Sequence, residues 1–130
     1  MKKILVVEDE LMMRDLVIRK LSSKNYEVKI AADGREAYNL WIKERPDLVL
    51  LDLILPEMNG FDVLRRIRED KDAWIANTPV IVLSNLWTNE DILRAQNLKI
   101  QGYIIKAYFT TDDILKKVDE LFQKMEKAQK

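Results

Sequence analysis

Five short apolar runs, at 4–7, 28–31, 48–51, 80–83 and 103–105, alternate with longer segments whose apolar residues recur at helical spacing. This alternation constrains the fold more than any other feature of the chain. Strands that run in the same direction need a long crossover between them, and a helix supplies it. Strand then helix, five times, therefore predicts a parallel sheet covered on both faces. The third run has no polar alternation, and Val49-Leu50-Leu51 leads straight into Asp52. Such a strand is buried on both sides. A lone carboxylate is costly to bury, so Asp52 belongs at the open carboxyl end of its strand. In an open α/β sheet, ligands bind at that edge. Pro56 and Gly60 then punctuate the loop that follows.

Helices are predicted over 10–24, 34–44, 60–70, 89–98 and 112–127. Met13, Leu16, Val17 and Leu21 share one face of the first. Ala37, Leu40 and Trp41 share a face of the second, and Phe61, Leu64 and Ile67 a face of the third. Ile92, Leu93 and Gln96 are assigned to the fourth. Ile114, Leu115, Val118, Leu121, Phe122 and Met125 form a 3.6-period stripe on the last. Asp33-x-x-Glu36, Asn59-x-x-Asp62 and Thr88-x-x-Asp91 each set a capping residue three positions before an acid. Thr110 or Thr111 caps the last helix. No glycine closes the helix ending near Leu98, which leaves Asn97 or Lys99 for a left-handed cap. Right-handed crossovers leave few topologies. The expected fold is α/β, a flavodoxin-like (βα)5 doubly wound parallel sheet of strand order 2-1-3-4-5. The chain of 130 residues suits a single domain, 1–130, with a core at about 2–122 and a charged tail that frays from 123. The stretch 70–78 is expected as a polar connection around Trp74 and Ile75.

Composition excludes several chemistries. Lys+Arg and Asp+Glu both number 22, and the net charge of zero argues against a general grip on nucleic acid. There is no cysteine, so disulfides and thiolate catalysis are out. There is no histidine either, which rules out a Ser-His-Asp triad and a histidine phosphate carrier within the chain. Any metal must bind through oxygen, which favours hard ions such as Mg²⁺ or Mn²⁺. Lys2 and Lys3 precede only four apolar residues before Glu8-Asp9-Glu10, so a first strand is expected there rather than a signal peptide. No stretch is long enough to span a membrane, and a cytoplasmic protein is the default expectation.

The strand ends carry the polar chemistry. The first strand ends in Glu8-Asp9 and its expected neighbour, the third, in Asp52. Three carboxylates at one crevice repel one another, and a divalent cation relieves the repulsion. Taken alone, Glu8-Asp9-Glu10 would merely complement the dipole of the first helix. The same register in two adjacent strands shifts the balance toward a site. The fourth strand ends in Ser84-Asn85 and the fifth in Lys106, adding a hydroxyl and a cation to the same edge.

With these residues in place, the sequence resembles the receiver domain of two-component response regulators from Lys2 to about Phe122. The resemblance rests on Val6-Val7-Glu8-Asp9, on Leu51-Asp52 through Asn59-Gly60, on Pro79 through Ser84, and on Gly102-Tyr103-Ile104-Ile105-Lys106. The order 2-1-3-4-5 is shared by chemotaxis members of that family, so it is not independent of the resemblance. The resemblance implies that Asp52 accepts a phosphoryl group from a phosphohistidine on a sensor kinase or a phosphotransfer protein. Glu8, Asp9, Asp52 and the backbone carbonyl of Ile54 would hold Mg²⁺. Lys106 would pair with Asp52 and then with a phosphoryl oxygen, and Ser84 would donate to another. Tyr103 would be the aromatic that responds when Ser84 moves. The domain would not be a conventional enzyme. It would catalyse its own phosphorylation and slow dephosphorylation, chemistry dominated by positioning and charge neutralisation.

Two positions depart from the family pattern. Ala107 stands where proline is common after the lysine, and Asn85 stands where a small residue is usual. Asn85 would narrow access to the phosphoryl group or hydrogen-bond to it. Ile54 and Leu86 are apolar and flank the path of hydrolytic water, which implies a long-lived phosphoprotein. The chain is expected to end with its fifth helix, leaving signalling to protein binding and no direct contact with nucleic acid. The expected surface is the helix at 89–98, the fifth strand and the last helix, with Leu86, Trp87, Tyr108 and Phe109 adding apolar area. A monomer or a phosphorylation-dependent homodimer is consistent with that face. Competing classes fare worse. A haloacid-dehalogenase-type phosphotransferase needs an acid where Ile54 stands, a flavodoxin-like cofactor site would be repelled by Glu8-Asp9-Glu10, and no Gly-x-x-x-x-Gly-Lys loop is present. The surviving alternative is a receiver-like interaction module that is never phosphorylated.

Overall fold

The computed structural model of the protein describes residues 1–128. Five strands, β1 (Lys3–Val7), β2 (Glu27–Ala31), β3 (Leu48–Leu51), β4 (Val80–Ser84) and β5 (Gly102–Ile105), pair in parallel in the order β2-β1-β3-β4-β5. Helices α1 (Leu11–Ser22), α2 (Gly34–Glu44), α3 (Gly60–Arg68), α4 (Ala73–Ala76), α5 (Asn89–Gln96) and α6 (Thr111–Ala128) connect or follow them. The doubly wound sheet and its order are as the strand–helix alternation implies.

Period-two alternation sorts the strand side chains into two cores. Leu5, Val7, Val49, Leu51, Val80 and Val82 pack with Trp41, Leu64 and Ile67 of α2 and α3. Ile4, Val6, Leu48, Leu50, Ile81, Leu83 and Ile104 pack on the other side with Leu21 of α1 and Ile114, Val118 and Phe122 of α6. The capping residues act as their spacing suggests. Asp33, Asn59 and Thr88 each accept from the backbone N–H three residues on. Thr110, rather than Thr111, caps α6: its Oγ1 accepts from Asp113 N while its own N–H donates to Asp113 Oδ2. Lys99 takes the left-handed conformation after α5, at φ 61°.

Several expectations need correction. The polar stretch at 70–78 contains the single turn α4, capped by Asp72, with Ile75 buried beneath it. The last helix does not fray at 123. It continues to Ala128, with the predicted stripe residues Phe122 buried and Met125 packed on the core. Residues 129 and 130 of the expected tail lie outside the described residues. Leu16 and Leu93 face solvent, and the buried faces are carried by Val17 and Leu21 in α1 and by Ala95 in α5. A small residue thus marks the packed side of α5.

One structural device was not visible in the sequence. Arg68, in the last turn of α3, turns inward and donates to four main-chain carbonyls. Nε reaches Leu98 O at 2.7 Å, Nη1 reaches Ala76 O and Thr78 O at 2.8 Å each, and Nη2 reaches Lys99 O at 3.1 Å. Burial lowers the proton affinity of this guanidinium, yet arginine remains charged. It ties α3 to the segments entering β4 and β5, the two strands that deliver Ser84 and Lys106. Arg68→Met is expected to lower the unfolding free energy by roughly 2–4 kcal/mol, because four carbonyls lose a charged donor. Arg68→Lys should restore only part of it, lacking the planar fork. Urea denaturation of the three proteins checks this order.

Candidate functional site

Parallel pairing brings the strand ends to one edge. β1 and β3 run in register from Ile4↔Leu48 to Val7↔Leu51, so Glu8 and Asp52 leave the sheet side by side. The main chain holds both: Asp52 N donates to Val7 O and Glu8 N to Ala31 O. Carboxylate oxygens of Glu8, Asp9 and Asp52 all lie within 4.8 Å of one another. Glu8 and Asp52 are buried, at 2% and 4% exposure, whereas Asp9 faces solvent. Asp52 Oδ1 accepts from Ile54 N at 3.1 Å, and Glu8 Oε2 from Glu10 N at 3.0 Å.

Lys106 crosses the sheet edge from β5 and lodges between the two buried acids. Its Nζ is 2.6 Å from Asp52 Oδ2 and 2.5 Å from Glu8 Oε1. The bond to Asp52 is aligned, but the contact with Glu8 Oε1 is an ion pair without hydrogen-bond alignment. The sequence pointed to the Asp52 pairing and missed Glu8, because β1 and β5 are not neighbours and only the reach of the lysine joins them. Burial raises the pKa of Glu8, with the Lys106 ammonium and the Glu10 N–H opposing it and the charge of Asp52 adding to it. Burial also pulls the Lys106 pKa down. Its hydrogen bond to Asp52 and its ion pair with Glu8 outweigh this and hold it above the ordinary lysine value.

The remaining residues stand one step outward. Ser84 ends β4, fully buried, and its Oγ accepts weakly from Leu86 N at 3.4 Å. Tyr103 in β5 donates its hydroxyl to Leu86 O at 2.6 Å. The loop between β4 and α5 is therefore held at Leu86 by both Ser84 and Tyr103. Asn85 does not turn to the acids: its Oδ1 accepts from Ala107 N at 3.0 Å. The register Ser84↔Ile105 was the signal that could have located this contact, since it sets Asn85 opposite Lys106. Ile54 is half exposed, in the loop after Asp52. That loop is pressed tight. A Cβ on Gly60 would lie 2.4 Å from Asp52 O, and one on Gly34 only 1.6 Å from Met58 O. Both positions exclude any larger residue, because backbone occupies the space. Of the apolar residues expected on the outer face, Trp87 and Tyr108 are exposed, but Leu86 and Phe109 pack against the two cores.

Three carboxylates against one ammonium leave a net negative pocket of oxygen donors. The buried Glu8 Oε1 lacks an aligned donor. That donor set suits a hard divalent cation.

The sequence profile of the response regulator receiver domain matches residues 4–119, and the chain belongs to that family. Receiver domains work in two-component systems as phosphorylation-based switches between histidine kinases and downstream targets. A probable transcriptional regulator, ycf27, of Guillardia theta is 36% identical over 107 residues, covering 82% of this chain and 40% of its own length. Among solved structures, the chemotaxis response regulator CheY4 of Vibrio cholerae superposes with a TM-score of 0.83 at 30% identity, over 92% of this chain and 98% of its own. A CheY-like receiver domain protein of Methanospirillum hungatei superposes with a TM-score of 0.87 at 27% identity, over 98% of each chain. The chain spans about half the length of the curated relatives it matches. Among the described residues, no helix is long and apolar enough to cross a membrane.

Tyr103 supplies a pH signature of this arrangement. Burial, with the negative charges of Asp91 and Asp52, pushes its phenol up to about 12 from an unfolded value of 10.0. Folding thus favours the neutral phenol. The resulting stability is fully present below pH 10 and is lost as pH rises through about 12. The native protein should therefore lose stability more steeply across that window than Tyr103→Phe. Thermal unfolding of both against pH checks the difference.

Proposed function

We propose that the protein is a phosphorylation-dependent switch in which Asp52 accepts a phosphoryl group from a phosphohistidine of a sensor kinase or phosphotransfer protein. The observation that carries this reading is the Lys106 ammonium, 2.6 Å from Asp52 Oδ2 within a cluster of three carboxylates. An oxygen of Asp52 attacks phosphorus and a P–O bond forms as the P–N bond breaks. The bond pair leaves on the imidazole nitrogen, which takes up a proton from solvent. Lys106 then moves from the carboxylate to a phosphoryl oxygen, and Ser84 turns its hydroxyl from Leu86 N toward another. Glu8, Asp9, Asp52 and the carbonyl of Ile54 would hold Mg²⁺, or Mn²⁺, whose charge neutralises the phosphoryl oxygens.

The signal then passes outward. Ser84 and Tyr103 share Leu86 as partner, so a change at Ser84 alters the bond that Tyr103 makes. The output surface in this reading is the α5–β5–α6 face, where Trp87, Leu93 and Tyr108 are exposed. Its partner is a protein target or a second copy of the chain, with no direct contact to nucleic acid. The receiver occupies 1–130 as one domain and works in the cytoplasm. Coupling between site and face is typically ~1–3 kcal/mol.

Incubation with acetyl phosphate and Mg²⁺ should add one phosphoryl group by intact mass. Asp52→Asn and chelation of the metal should each abolish the gain. No gain in the native protein across donors and metals would overturn the reading in favour of an interaction module that is never phosphorylated. Ile54 and Leu86 are proposed to exclude hydrolytic water. Ile54→Asn with Leu86→Glu should shorten the lifetime of the Mg²⁺-bound phosphoprotein severalfold, followed by phosphate release. Decay that is already rapid and indifferent to the pair would reject this role.

A further inference from the structure

The main-chain ladder between β4 and β5 ends at Ser84↔Ile105. Beyond it, Lys106–Tyr108 close into a single 3₁₀ turn. The N–H of Ala107 lies in that turn, where no helical carbonyl precedes it to serve as acceptor. Asn85 Oδ1 takes the place of the missing rung, at 3.0 Å. The residue after the buried serine thus holds the residue after the lysine. These are the same two positions that depart from the family pattern in the sequence.

The consequence is mechanical. Lys106 carries a long side chain whose rotamers are costly to restrain. Its ammonium must nevertheless sit between Glu8 Oε1 and Asp52 Oδ2. On its N-terminal side, Ile105 is fixed by the β5 ladder. On its C-terminal side, Ala107 is fixed by Asn85. Among the described residues, this bond is the sole hydrogen bond joining the loop after β4 to the turn after β5. Ser84 Oγ and Tyr103 Oη hold the same β4 loop at Leu86. The two chain segments that bracket Asp52 are therefore positioned as one unit.

We infer that Asn85 is a positioning residue for phosphorylation of Asp52, acting through the Ala107 N–H to hold the Lys106 backbone. The inference rests on the reading of Asp52 as phosphoacceptor. It differs from simple obstruction of the site by a larger side chain, which would restrict entry of the donor without touching Lys106.

The test compares the native chain with Asn85→Ala, Asn85→Leu and Asn85→Asp, using acetyl phosphate and Mg²⁺. The readouts are the maximal phosphorylation rate, the donor concentration at half that rate, and amide hydrogen exchange at Ala107. Alanine and leucine both remove the acceptor, and leucine keeps the bulk. Both should lower the maximal rate roughly two- to tenfold, the range of one ordinary hydrogen bond, without changing the half-saturating concentration. Both should also speed exchange at Ala107, and Asn85→Asp, which keeps an acceptor oxygen, should restore its protection. Faster phosphorylation in Asn85→Ala but not in Asn85→Leu would show obstruction instead and overturn the inference. Unchanged exchange at Ala107, or unchanged maximal rates in both variants, would also overturn it. A native chain that is not phosphorylated at all would overturn the reading of Asp52 and this inference with it. That outcome is distinct from a native chain that is phosphorylated at a rate indifferent to residue 85.

Discussion

Two carboxylates are buried side by side because two adjacent parallel strands end in register, and one lysine makes this tolerable. An uncompensated pair of buried acids would repel and take up protons. Lys106 sits between Glu8 and Asp52 and answers both charges with one ammonium. Much of the surrounding structure keeps that lysine in place. Removing one charge from such a cluster leaves the others without compensation, so its members act as a unit rather than as separate contacts. The same balance makes the pocket responsive. An incoming dianionic group or a cation changes the charge that Lys106 must answer.

The loops around the acids are constrained for the same reason. Gly34 and Gly60 allow the chain after β3 to pass against α2 and against the exit of its own strand. Gly60 N also donates to Leu53 O at 2.9 Å, closing the loop onto α3. On the far side, the β4 loop is bound by Ser84 and Tyr103 at Leu86 and by Ala107 at Asn85. A loop held by few polar bonds over a rigid sheet can change state without disturbing the core.

Much of this was legible in the sequence. Short continuous apolar runs and capping residues located the strands and most helix starts, because these signals are local and physically strong. Residues bearing the site chemistry stood at the strand ends, where parallel topology gathers them. The failures were of another kind. Leu93 suited a helical face as well as Ala95 did, and only the packing of the folded chain set which side of α5 is buried. Arg65, Arg66 and Arg68 are equivalent as letters in the last turn of α3. Which of them turns inward depends on carbonyls contributed by distant segments. The stripe on α6 was legible through Phe122 and Met125, but the charged residues from 123 on read as a fraying end where the helix in fact continues.

The sequence by itself determined the order of elements, the parallel sheet and the set of polar residues delivered to its carboxyl edge. Apolar period, capping and strand-end chemistry are written within a few residues of one another. Tertiary structure alone decided how those residues share their bonds. Lys106 reaches Glu8 as well as Asp52, Asn85 turns to Ala107, and Arg68 binds the carbonyls beneath β4 and β5. Each choice joins segments far apart in the chain, and its outcome depends on which neighbour the fold brings within hydrogen-bond reach.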